Sequence, residues 1–202
     1  LTMGAADQTI TTGTADDVID MAATLDKDDT IDLGDGNDTL RVDTDSLAAG
    51  SNDLSISNVE ILRLDNTDGN AGAIQLDNLA LNSVRVDGVN GAGQAATTGV
   101  VTLTDITTTI TTFDLIGTGS DGAASDNVAF NGLTIDYDVS GATNVGGAVI
   151  NINNGGVIGD DLFVGTITAN NTEIFTVVAA DIGAAAADEL TITAIDGDDM
   201  TD

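Results

Sequence analysis

The chain of 202 residues contains no cysteine, no histidine, no proline and no tryptophan, and only one tyrosine and four phenylalanines. Without cysteine there are no disulfides and no thiolate metal ligands, and without histidine the usual zinc ligand and general base are missing. So few rings exclude a conventional aromatic-rich core, and a narrower interior of small and β-branched side chains is expected instead. The lack of proline argues against a linker or stalk and fits continuous backbone ladders in which every N–H is used. No run of about 18 apolar residues occurs, so no segment is long enough to span a membrane as a helix. Basic residues are almost absent too: four against 34 acidic ones, a net charge of −30. Phosphate binding needs clustered Lys and Arg, so nucleic acid is excluded as a natural partner and cations are expected. Repulsion on this scale opposes a compact state unless counter-ions or bound divalent metals offset it.

What is present is a repeat. Leu40-Arg41-Val42-Asp43, Leu62-Arg63-Leu64-Asp65 and Val84-Arg85-Val86-Asp87 return every 22 residues and hold three of the four basic residues. Alternation sends the apolar pair to one side of a strand and Arg and Asp to the other, while the fixed return implies that each run closes one coil. Leu40, Leu62 and Val84 should form an inward column. Arg41, Arg63 and Arg85, with Asp43, Asp65 and Asp87, should form an outward, mixed-charge ladder. The expected fold is all-β: a right-handed parallel β-solenoid of about nine coils, with the 24 glycines serving its corners. Leu81, Val84, Val86 and Val89 echo leucine-rich-repeat spacing, but the Asn that fold needs is not in place. Gly88 to Gly99 should be a protruding loop or irregular coil, after which Phe113-Asp114-Leu115 and Ile135-Asp136-Tyr137, again 22 apart, suggest that the repeat resumes, with Ile150-Asn151-Ile152 following after a shorter coil. Ala184 to Leu190 could supply a turn or two of helix.

Turn chemistry is densest near the start. Gly13-Thr14-Ala15-Asp16-Asp17, Asp26-Lys27-Asp28-Asp29 and Gly34-Asp35-Gly36-Asn37-Asp38 each precede a short strand. Asp17 and Asp38 lie 21 residues apart and should stack on one edge, with Asp29 on the opposite edge. These turns resemble the RTX, or haemolysin-type, calcium-binding repeat, Gly-Gly-x-Gly-x-Asp-x-(Leu/Ile/Phe)-x. Gly34, Gly36, Asp38 and Leu40 fall on its second and third Gly, its Asp and its large apolar position; Gly13, Asp17 and Ile19 match with Ala15 in place of the third Gly, and Asp29 and Ile31 with Lys27 there. Gly50-Ser51-Asn52-Asp53 is a looser copy, and Gly159-Asp160-Asp161-Leu162 a weaker one. Val59-Glu60-Ile61-Leu62-Arg63-Leu64 is similar to a phrase of RTX-type surface-layer proteins and adhesins.

The resemblance implies Ca2+ sites involving Asp17, Asp29, Gly34, Gly36, Asp38, Asp53 and Asp161. Calcium takes six to eight oxygens, which Asp carboxylates and carbonyls of stacked turns can supply. It implies RTX-like coils over residues 1–47, continuing solenoid coils over 48–202, and a type I-secreted protein of the bacterial cell surface. There, identical subunits would form a surface layer or filament. The alternative is a segment of a large adhesin contacting a cell-surface polysaccharide or another cell. No enzyme is expected: Glu60, Glu173 and Glu189 form no paired-carboxylate site, and no aromatic platforms for sugar rings accompany the Arg column. The threonines from Thr102 to Thr112 are too irregularly spaced for an ice-binding array. Leu1 is not an initiator Met, which suggests a piece of a longer chain.

Overall fold

The structure is a computed structural model, and it describes residues 7–22, 25–26, 28–43, 55–66, 73–76, 79–89, 98–106, 110–118, 128–137, 147–153, 162–172, 174–180 and 190–197. Among the described residues there is no helix. The strands in chain order are β1 (Thr9–Thr11), β2 (Val18–Ala22), β3 (Thr30–Asp32), β4 (Thr39–Asp43), β5 (Ser55–Ser57), β6 (Ile61–Asn66), β7 (Ala73–Gln75) and β8 (Ser83–Val89). They are followed by β9 (Thr98–Ile106), β10 (Thr112–Thr118), β11 (Val128–Tyr137), β12 (Ala148–Asn153), β13 (Leu162–Asn170), β14 (Phe175–Ala180) and β15 (Leu190–Gly197).

Even-numbered strands build one seven-stranded sheet in the order β14-β12-β10-β8-β6-β4-β2, while odd-numbered strands build a three-stranded sheet, β1-β3-β5, and a five-stranded one, β15-β13-β11-β9-β7. All pairings are parallel. Each sheet grows strictly in chain order and consecutive strands change face, so the backbone winds as a parallel β-solenoid with its core between the faces. Parallel strands need such crossovers, and each turn here supplies one.

Inward residues form columns. Ile19, Leu40, Leu62, Val84, Phe113, Ile150 and Val177 are register partners in succession along the even sheet. All but the partly buried Val177 belong to the buried core. Fully burying a Leu or Ile contributes roughly 1.5–3 kcal/mol, so the column is a main source of stability. The expected inward stacking of Leu40, Leu62 and Val84 is thus present, with Arg41, Arg63 and Arg85 in register on the outer face. Where the two faces meet, the Tyr137 hydroxyl donates to the Ile110 carbonyl at 2.7 Å, and its ring meets Phe113 edge-on, centroids 6.4 Å apart. Burial pushes the Tyr137 phenol above its ordinary pKa.

The 22-residue return does not resume after residue 87. Successive members of the Ile19-to-Val177 column are separated by 21, 22, 22, 29, 37 and 27 residues. Phe113 pairs with Ile150, and Ile135 lies on the opposite face, paired with Leu103. The coil holding Ile150 is therefore longer than its predecessors, and the coils are fewer than nine. Lengthening a turn adds little closure entropy, about 0.6 kcal/mol per doubling, so register follows inward burial rather than equal coil length. Gly88 and Val89 extend β8 and Thr98 and Gly99 begin β9; the rest of that stretch, and Ala184 to Glu189, lie outside the described residues.

Candidate metal centre

Turn 34–38 sits directly on turn 13–17. Asp35 N–H donates to the Gly13 carbonyl at 3.0 Å, Asn37 N–H to Asp16 Oδ1 at 2.9 Å, and Thr39 N–H to the Asp17 carbonyl at 2.8 Å. Coils this close exclude side chains. Gly34 has φ +82°, and a Cβ there would collide with the Gly13 carbonyl oxygen; at Gly36 it would lie 2.8 Å from the Ala15 oxygen. Both matched glycines are thus required by stacking itself.

Asp38 is fully buried, and its Oδ1 accepts the Asp17 N–H at 2.7 Å. Its own N–H donates to Glu60 Oε2 at 2.9 Å, so the same capping bond recurs one coil later. Asp17 and Asp38 are therefore brought together as expected, with Asp38 linking two coils. Asp38 Oδ2 is buried without a hydrogen-bond partner. A buried carboxylate oxygen in that position is costly unless something positive meets it, and it fits a cation held between turns.

Asp29 lies on the opposite edge, ahead of β3. It too is buried, and both oxygens are used: Oδ1 accepts Gln8 N–H at 2.7 Å and Oδ2 accepts Asp26 N–H at 2.8 Å. Asp28 N–H donates to Asp26 Oδ1 at 2.9 Å, and Thr30 N–H to the Gln8 carbonyl at 2.8 Å. While Asp29 turns inward to fix this corner, Asp7, Asp26 and Asp28 point outward, their carboxylate oxygens converging within 4.8 Å of one another. Three charges at that separation repel by about 1 kcal/mol per pair even in water-like dielectric, and a cation among them reverses the sign. This exposed cluster can hold a metal ion.

Reading only the last Asp of each turn singled out Asp29 and missed these three. The available signal was the 21-residue offset, which relates Asp28 to Asp7 as it relates Asp29 to Gln8. Asp53 and Asp161 lie outside the described residues.

The arginine ladder occupies the outer face of the even sheet, where Asp20, Arg41, Arg63, Arg85, Asp114 and Asn151 are successive register partners. An acidic residue thus closes the basic run at each end. Arg41 pairs with Asp20 of the preceding coil at 2.7 Å. Arg63 and Arg85 both pair with Asp87, which is fully buried beneath them rather than turned outward as expected. Two guanidiniums on one carboxylate relieve the repulsion that stacked arginines would otherwise suffer. Asp43 is half-buried; Asp65 occupies the same register column, its side chain outside the described part. Beside the ladder, Val18, Thr39, Ile61, Arg63, Ser83, Arg85 and Asp114 line an open depression of about 280 Å³.

No protein-family model, curated protein or solved structure matches the chain.

Proposed function

We propose that this chain is a structural, calcium-stabilised repeat protein of RTX type, secreted to the bacterial cell surface, where copies assemble into a layer or filament. The observation that carries the reading is the convergence of Asp7, Asp26 and Asp28 on one corner of stacked coils. Carboxylate oxygens are what a hard cation selects, with water completing its six to eight ligands. Asp38 Oδ2, buried and unpartnered, adds a second place for positive charge at the other edge.

Calcium then controls folding. A net charge of −30 holds the thin solenoid open until cations bind. Extracellular modules typically bind calcium at about 10⁻⁴ to 10⁻³ M; at ten to a hundred times that constant each site contributes roughly 1.4–2.7 kcal/mol. In a calcium-poor cytoplasm the chain stays unfolded and exportable, and it coils outside.

The test is circular dichroism with light scattering during EGTA titration at fixed ionic strength. Loss of β signal and of large particles, restored by CaCl2 but not by NaCl of equal ionic strength, is expected. An unchanged β signal and particle size would refute the reading.

The depression beside Arg63 and Arg85 favours a second reading, an adhesin segment whose groove takes a carboxylate-bearing glycan. Calorimetric titration with uronic-acid oligosaccharides separates the two: saturable binding to a chain that stays monomeric supports the adhesin.

A further inference from the structure

The two ends of the solenoid are finished differently. At the start, Ile10 of β1 and Ile19 of β2 are only 6% and 4% exposed although they belong to the first rung. At the other end, Val101, Leu133, Ile167 and Ile195 are register partners in one inward column; the first three are 1%, 1% and 0% exposed and Ile195 is 50% exposed. Phe175, Val177 and Ile192 of the last rung are likewise only partly buried. Among the described residues no strand pairs with the outer edge of β14 or β15. The core is therefore cut open in cross-section beside two unpaired backbone edges, the arrangement that templates strand addition.

We propose that this open end is covered by the same end of a second copy. A two-fold axis normal to the sheets sets β14 antiparallel to its counterpart and β15 antiparallel to its counterpart, so that inward faces continue across the junction and a two-fold contact closes on itself. Stacking head to tail would instead place the open core on an end whose inward side chains are already covered. The eight residues of β15 span about 26 Å, and two faces about 10 Å apart with their strands make the end about 20 Å wide. That is about 500 Å² on each copy, or about 1,000 Å² in total, at the lower bound for a specific interface, so a weak, micromolar dimer is expected. Like charge on both copies makes it tighten with added salt. The contact deepens the assembly reading, and rests on it, by naming one surface through which copies meet.

Sedimentation velocity and light scattering, from about 1 to 500 µM in calcium, should show the mass rising from 20.2 kDa toward twice that value. Ile195→Lys, at a half-exposed position in the terminal rung, should keep its β signal and weaken association at least tenfold. Because the chain lacks cysteine, Thr193→Cys carries a single pyrene label near the centre of β15. Excimer emission is expected, and it should vanish when Ile195→Lys is added. A monomer throughout the range, a dimer without excimer, or association untouched by Ile195→Lys would overturn the contact. A dimer that survives EGTA and still yields to Ile195→Lys leaves the contact standing while the calcium-controlled reading falls. Calcium-dependent particles indifferent to Ile195→Lys do the reverse.

Discussion

Asp38 reaches back 21 residues to accept the backbone N–H of Asp17 at 2.7 Å, while its second carboxylate oxygen has no hydrogen-bond partner in the buried turn. One oxygen serves the fold and the other is open to a cation. Asp38→Asn keeps the acceptor and removes the charge, so without calcium its stability should stay within about 1 kcal/mol of the parent. Asp38→Ala loses the cap and should cost about 1–3 kcal/mol with or without calcium. In calcium, the Asn variant should also lose the calcium-dependent gain. Urea unfolding in EGTA and in CaCl2 checks this; an equal calcium gain in parent and Asn variant would remove Asp38 from the binding site.

Asp29 and its neighbours should separate fold from binding in the same way. Asp29→Ala leaves the Gln8 and Asp26 amides without their acceptors and should destabilise by about 1–3 kcal/mol in either condition. Asp28→Asn, on the exposed face of the corner, should barely change stability in EGTA yet weaken ion binding several-fold. Terbium luminescence titration reads the second effect directly. Equal affinity for Asp28→Asn and the parent would show that the corner holds no ion.

On the opposite face, burial outweighs charge. Leu62→Ala empties a fully buried column position and should cost about 2–5 kcal/mol. Arg63→Ala should cost about 1 kcal/mol or less, because Asp87 keeps Arg85. Asp87→Ala leaves two guanidiniums facing each other; each is about one-third exposed, which lowers the cost below that of a fully buried pair, to about 1–3 kcal/mol. Chemical denaturation of the three variants should give this order.

Tyr137 sets the alkaline limit. Its phenol is raised by burial, so the folded state holds the proton at pH values where the unfolded chain, with an ordinary pKa near 10, has released it. This contribution is fully present below about pH 10 and is lost as pH rises from there toward the folded value. Stability should therefore fall above about pH 10, and phenolate absorbance from the chain's single tyrosine should appear together with loss of β signal. Tyr137→Phe should cost about 1 kcal/mol near neutrality and remove that coupling. Phenolate forming while the β signal persists would contradict it.

Sequence alone determined the strand alternation, the 22-residue return from Leu40 to Asp87, the outward arginine column and the stacking of Asp17 on Asp38. These follow from period-two patterning combined with three coils of nearly equal length, in which equal spacing forces equal register. The same signal misled where coils lengthen: Phe113 and Ile135 share a phrase and a spacing, yet every core-facing strand alternates, so the phrase cannot say which face it occupies. Only the tertiary structure decided that Arg41 pairs with Asp20 while Arg63 and Arg85 share a buried Asp87. It also turned Asp29 inward and brought Asp7 to Asp26 and Asp28. Those choices depend on which backbone amides each corner leaves unsatisfied, and on which carboxylate is close enough to cap them, so they are fixed by the coil above or below rather than by a residue's own neighbours in the chain.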